Sequence, residues 1–199
     1  MEQLLKTVFY DRHVSLGAQM VEFGGWFMPL QYESGIVQEH LNTRKKAGLF
    51  DVSHMGRFSI SGPGALDFLQ HVLTNNAAAL EVEEGQYTMI PDEDGGAVDD
   101  AYLYRFVEDE YLLVVNAANR QKDWNHMLAF TDQFGRVDLA DRTMEMAMLS
   151  LQGPLAKEIM ADIVEGGNLP EPLRNALSTV EINGSRVLVA RTGPRQANW

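Results

Sequence analysis

The sequence predicts an α+β fold rich in antiparallel sheet, and three observations carry that expectation. Short runs of β-branched and aromatic residues recur at hairpin spacing. Two runs, Arg57 to Ser61 and the one around Met148-Leu149, lead through a Gly-Pro corner into a stretch with helical periodicity. A third signal is Asn183-Gly184, which lies between two apolar runs and supplies the two positive φ values of a type I′ turn. At 199 residues the chain has room for one large domain, or one and a half, with a sizeable core.

Taken in order, Gln38 to Ala47 reads as a polar helix, and Leu49-Phe50 opens a new element. Arg57 to Ser61 alternates, with Phe58 and Ile60 on one face. Gly62-Pro63-Gly64 then turns the chain into a helix carrying Leu66, Leu69, His71 and Leu73. The same unit recurs at Met146 to Ile163 around Gly153-Pro154, with Pro near the first helical turn, where its missing N–H costs nothing. Gln86 to Ile90, Ala97 to Phe106 and Glu110 to Asn116 read as three locally paired antiparallel strands. A helix from about Asn119 to Phe134 follows, with Trp124, Met127, Leu128 and Phe134 as its buried candidates. A hairpin of Val180 to Ile182 and Arg186 to Ala190 closes the series.

Composition narrows the function. Hydrophobic residues make up 45% and charged residues 22%, as in a folded globular protein. There is no cysteine, which excludes disulfides, thiolate metal sites and cysteine nucleophiles. The net charge of −12 argues against nucleic acid as a partner. No apolar stretch approaches the roughly 20 residues of a membrane span, so no membrane partner is expected and the cytoplasm is the expected location. The charge is concentrated: Glu81 to Glu110 holds eleven carboxylates and one base, Arg105.

The unusual feature is Asp99-Asp100 inside a hydrophobic run, because Asp is disfavoured in strands. Period two places Val98, Asp100, Tyr102 and Tyr104 on one face and Asp99, Ala101, Leu103 and Arg105 on the other. A carboxylate beside phenol rings can accept an N–H of a flat heterocycle while the rings line its faces. The competing reading makes both aspartates the solvated end of an edge strand near an acidic loop, and spacing alone favours it. Asp51, Ser53 and His54 are too close in sequence for a catalytic triad and read as a turn. Asp92 to Leu103 lacks the Gly and Glu of a calcium loop, Gly62-Pro63-Gly64 lacks a dinucleotide fingerprint, and the five histidines have no metal-ligand spacing.

Five segments then resemble the aminomethyltransferase (T-protein) family of the glycine cleavage system. They are Phe23-Gly24-Gly25-Trp26-Phe27-Met28-Pro29-Leu30-Gln31-Tyr32, Gly48 to Gly56, Gly95-Gly96-Ala97-Val98-Asp99-Asp100, Val114 to Asn119, and Gln152-Gly153-Pro154. They are in register from about residue 5 to Gly193, as in the family's N-terminal half. The resemblance implies a partial folate-binding aminomethyltransferase fold: an N-terminal folate-binding part over 1–140, the start of a second, ferredoxin-like α+β domain over 141–193, and a tail outside the family pattern at 194–199. It implies that Asp100 is the catalytic residue and that Tyr87, Tyr104 and Asn116 line a tetrahydrofolate pocket. Tyr102 faces the same way, at a position that is apolar and variable in the family.

The implied reaction transfers the one-carbon unit of an aminomethyl group, carried on the lipoyl sulfur of the H-protein, to the cosubstrate tetrahydrofolate and releases ammonia. No metal is implied. The acidic loop Asp92-Glu93-Asp94 should then be solvated away from the folate carboxylates, since exposed charges are screened within about 10 Å. After Gly193 the family's folate-clamping Tyr-Thr-Gly-Glu-type segment is replaced by Pro194 to Trp199, so the chain resembles a half ring with uncovered apolar surface. Two alternatives stay open: a noncatalytic folate- or H-protein-binding remnant, and a folate-dependent demethylase of the same superfamily.

Overall fold

The structure, a computed structural model, describes residues 4–171, 173 and 175–191. The tail expected at 194–199 lies outside the described residues. The elements in chain order are β1 (Leu5–Lys6), α1 (Tyr10–Ser15), β2 (Gln19–Phe23), β3 (Trp26–Gln31), α2 (Ile36–Lys45), β4 (Gly48–Asp51), β5 (Gly56–Ser61), α3 (Ala65–Val72), β6 (Glu84–Pro91), β7 (Ala97–Val107), β8 (Glu110–Val115), α4 (Arg120–Leu128), β9 (Asp138–Asp141), β10 (Leu149–Gln152), α5 (Ala156–Ile163), β11 (Gly166–Gly167), β12 (Leu177–Ile182) and β13 (Ser185–Ala190). The α+β, antiparallel-rich expectation holds.

Five strands form the central antiparallel sheet in the order β6-β7-β8-β5-β9. Alternation in β5 turns Phe58 and Ile60 fully inward. On α3, Ala65, Phe68, Leu69 and Val72 fall at helical spacing on one face and bury against them, with Leu103, Leu113, Val115 and Met127 completing the main core. The opposite sheet face carries a smaller cluster in which Tyr104, Val114 and Leu177 are buried, flanked by Met55, Met148 and Ala190. Asn183 (φ 50°) and Gly184 (φ 68°) make the expected turn between β12 and β13.

Both Gly-Pro corners take the same shape, with φ of 100° at Gly62 and 117° at Gly153. A Cβ at Gly153 would stand 2.5 Å from the Thr43 carbonyl oxygen and 2.6 Å from that of Lys46, so neither conformation nor space admits a side chain. The two helices that follow differ. Four residues of α3 are buried and none of α5 is, and Leu155, Ile159 and Ile163 stay exposed, as does Leu149.

Three expectations need correction. The solvated edge-strand reading of Asp99-Asp100 fails because β7 runs between β6 and β8 and, although the β8 ladder begins only at Ala101, Asp99 is 8% exposed. The helix expected to Phe134 ends at Leu128, which is 49% exposed, and a short 3₁₀ turn follows at Thr131–Gln133. That turn brings Phe130 and Phe134 together onto the His71 ring, at 5.1 and 5.0 Å, and sets Phe134 edge-on to Phe68. The N-terminal sheet, in the order β1-β3-β2, lies where no strand was anticipated. Pro29 in β3 argues against a strand, but β1 pairs only Trp26 and Phe27. The missing N–H of Pro29 therefore meets an unpaired edge, opposite a register shift in β2.

Candidate functional site

The alternation of β7 separates two adjacent carboxylates. Asp99, Ala101 and Leu103 point into the core, whereas Asp100, Tyr102 and Tyr104 share the other face. Asp100 is half-buried, and its Oδ1 accepts an N–H from Asn116 Nδ2 at 2.8 Å. The same amide nitrogen donates to Asp99 Oδ1 at 3.0 Å. Asn116 follows the last residue of β8, directly beside the β7 ladder, so one amide bridges carboxylates on opposite faces of the strand.

The aromatic wall follows from strand register. Tyr87 lies opposite Tyr102, and Met89 opposite Asp100. The Tyr87 ring meets Tyr102 edge-on at 6.3 Å, and Tyr102 stacks on Tyr104 at 5.2 Å and 24°. Gly85 lies opposite Tyr104, where a Cβ would come within 2.8 Å of the ring, so its lack of a side chain makes room for that tyrosine. Tyr102 donates its hydroxyl to Asn175 Oδ1 at 2.5 Å, and the Asn175 carbonyl takes the Gly85 N–H at 2.9 Å. Thus the segment leading into β12 braces the far end of the row.

The face is graded rather than enclosed. Tyr104 is 5% exposed beneath the β12–β13 hairpin, while Tyr87 is 48% exposed beside Asp100. Partial desolvation raises the Tyr87 pKa, and the Asp100 carboxylate, acting by charge and as a hydrogen-bond acceptor, raises it further, with a smaller push from Asp99. Two clefts of about 190 and 170 Å³ lie elsewhere, one beside Thr7, Ser53 and Met146, the other beside His71, Pro91 and His126. Asp92, Glu93 and Asp94 are exposed on the β6–β7 loop.

All five residues singled out from the sequence, Tyr87, Asp100, Tyr102, Tyr104 and Asn116, therefore meet on one sheet face or at its border. Sequence reasoning missed Asn119 and Asp123. Asn119 Nδ2 donates to Asp99 Oδ1 at 3.0 Å, and Asp123 is wholly buried on α4. A signal was there: Asp123 precedes Trp124 and lies one turn before Met127, so helical spacing puts this acid on the same face as the apolar residues expected to be buried. The Asp51-Ser53-His54 segment is a turn, with the Ser53 N–H donating to Asp51 Oδ1 at 2.9 Å. Asp51 instead joins a buried chain from separate elements: its Oδ2 lies 3.0 Å from His13 Nε2, and His13 Nδ1 lies 2.7 Å from the Tyr32 hydroxyl. Burial pushes the Asp51 carboxyl up, but hydrogen bonds from Thr7, Ser53 and His13 outweigh it and hold it below the usual range.

The α+β unit thus brings a carboxylate, an amide and a row of tyrosines onto one open sheet face. The family described as the GCVT N-terminal domain matches residues 9–193, and the chain belongs to that family. An aminomethyltransferase of Thermus thermophilus is 47% identical over 188 residues, covering 94% of this chain and 53% of that protein. One from Symbiobacterium thermophilum is 47% identical over 197 residues, covering 96% of this chain and 52% of that protein. The crystal structure of the glycine cleavage system aminomethyltransferase T from Bartonella henselae superposes with a TM-score of 0.81 at 36% identity, over 89% of this chain and 48% of the other. A heterotetrameric sarcosine oxidase from Corynebacterium, at 17% identity and a TM-score of 0.56, shares the fold. The chain spans about half the length of the curated relatives it matches.

Proposed function

We propose that this chain binds tetrahydrofolate on the Asp100 face and serves the aminomethyl transfer of the glycine cleavage system, with the lipoylated H-protein as its partner. The observation that carries the reading is Asp100, held by the Asn116 amide at 2.8 Å at the open end of the Tyr87, Tyr102, Tyr104 row. The donor set fits a reduced pterin: an anionic acceptor for ring N–H groups, and apolar ring faces for a flat heterocycle.

Tetrahydrofolate supplies the nitrogen nucleophiles that take up the one-carbon unit. The carbon–nitrogen bond to the leaving ammonia breaks, the carbon–sulfur bond to the lipoyl arm breaks, and two carbon–nitrogen bonds to folate replace them. Asp100 holds folate N–H groups in register, because its orientation is fixed before the ligand arrives. Its negative charge lies where the carbon becomes electron-poor as ammonia departs, which lowers that barrier without reorganisation. The same carboxylate can accept the proton released when the second folate nitrogen bonds to the carbon. The exposed loop Asp92 to Asp94 leaves the anionic tail of folate screened from most of the local charge.

Calorimetric titration of the 199-residue chain with tetrahydrofolate, followed by an assay of ammonia release from aminomethylated H-protein, tests the reading. Binding with turnover supports it in full. Binding without turnover identifies the chain as a folate-binding module, and absence of binding overturns the proposal.

A further inference from the structure

Directly behind Asp100, two carboxyl groups face each other in the core. Asp123 of α4 is 0% exposed, and neither of its oxygens receives an N–H or hydroxyl donor among the described residues. Asp99 is 8% exposed; its Oδ1 takes the amides of Asn116 and Asn119, and its Oδ2 is buried with no such donor among the described residues. The two carboxyls bear on each other at hydrogen-bonding range, and carboxyl groups can bond to each other only with a proton between them. The cation that bears on Asp123, Lys122 on α4, spends its ammonium on the Val98 carbonyl at 2.5 Å.

We infer that Asp99 and Asp123 share one proton as a buried carboxyl pair, and that Asp123, donating it to Asp99 Oδ2, is a positioning residue that keeps Asn116 turned onto Asp100. Asp99 then remains an acceptor for Asn116, and Asn116 presents one N–H to each aspartate. The electrostatics agree. Burial pushes Asp123 up to about 8, helped by the hydrogen bond and charge of Asp99 and by the charge of Asp100, and opposed by Lys122. Burial also pushes Asp99 up, but the bonds from Asn116, Asp123 and Asn119 and from the Asp100 N–H outweigh it and hold it low. The values belong to the pair as a unit. Loss of the shared proton above about pH 8 places like charges together and frees Asn116. The consequence for ligand binding rests on the folate reading; the pair itself does not.

The test uses the full chain with ¹³C-labelled aspartate carboxyls and ¹⁵N-labelled asparagine side chains, titrated from about pH 4 to 10 by NMR. The expected result is one carboxyl transition near pH 8, with the Asn116 side-chain amide shifting at the same midpoint. Asp123→Asn supplies a permanent N–H donor, so it should abolish both shifts while leaving tetrahydrofolate affinity within about threefold at pH 7 and flat to pH 9, where the wild-type affinity declines. Asp123→Ala should weaken tetrahydrofolate about tenfold at pH 7. Carboxyls that all titrate below about pH 5, or an Asn116 amide that does not respond, would overturn the pair. A chain that shows both transitions yet does not bind tetrahydrofolate would support the pair and refute the folate reading.

Discussion

The two faces of the central sheet are built from the same strands and differ in how completely they are closed. On the α3 and α4 side, Phe58, Ile60, Phe68, Leu69, Leu103, Leu113 and Met127 are all 0% exposed. On the other side burial runs out along β7, from Tyr104 at 5% beneath the β12–β13 hairpin to the half-buried Asp100 and, across the strand, Tyr87 at 48%. Asp99 and Asp100 sample the two environments one residue apart. The closed face ties its carboxylate to Asn116 and Asn119, and the open face leaves its carboxylate half-exposed, where we propose that it meets the ligand. A packed core can fix a polar group only if it satisfies that group, and a reactive group must be left partly unsatisfied.

The largest expected contrast is mechanical. Phe68→Ala should cost about 3–5 kcal/mol by leaving a cavity in the closed face, whereas Tyr87→Ala on the open face should stay within about 0.5 kcal/mol. Urea unfolding of both variants measures this, and equal losses would mean that the faces are not distinct.

Next comes the pH dependence of stability. Asp123 sits at about 8 in the fold against ~3.9 in the unfolded chain, so its contribution is complete below about pH 4 and is lost as the pH rises toward 8. Asp99 and Asp141, both held below the usual range, act oppositely: their stabilisation is present above about pH 4 and is lost as the pH falls through their folded values. Asp123→Asn should therefore flatten the alkaline decline, an effect on the order of a few kcal/mol at pH 8. Thermal melts of wild type and variant between pH 5 and 9 that ran parallel would contradict the assignment.

The site carboxylate should show the reverse signature. Asp100→Asn is expected to leave Tm within a degree or two and to weaken tetrahydrofolate at least tenfold, about 1.4 kcal/mol. Asp99→Asn should lower Tm first, because its amide turns an N–H toward Asp123 where Oδ2 accepted, and the proton is no longer shared between two carboxyls. If the two variants changed Tm and affinity alike, the division between faces would fail. The smallest effect expected is Tyr102→Phe, which removes the hydroxyl donated to Asn175 and should cost about 0.5–1.5 kcal/mol. Its sharper readout is faster amide exchange at Leu177, whose N–H donates to the Glu83 carbonyl at 2.7 Å beside that brace.

Much of this was legible along the chain. Period two in Val98 to Arg105 separates Asp99 from Asp100 without coordinates, because side-chain direction in a strand is a local property. Asn183-Gly184 and the two Gly-Pro corners announce their turns for the same reason: the φ values they need belong to single residues. The edge-strand reading of Asp99-Asp100 failed because no local signal says how many neighbours a strand has. Thr131 and Asp132 lie within the window read as one helix, and only the packing of Phe130 and Phe134 onto His71 accounts for the turn there.

The sequence by itself determined the class of fold, the strands and turns around the site, and the membership of Asp100, Tyr102 and Tyr104 in one face. Strand periodicity says nothing of Tyr87 and Asn116, which only the family resemblance named; tertiary structure brought them to that face, closed Asn119 and Asp123 on Asp99 from behind, and left α5 exposing the kind of apolar side chains that α3 buries. Direction along a strand is set by neighbouring residues, but burial and charge pairing are set by whichever distant segment arrives, and that is a property of the assembled chain.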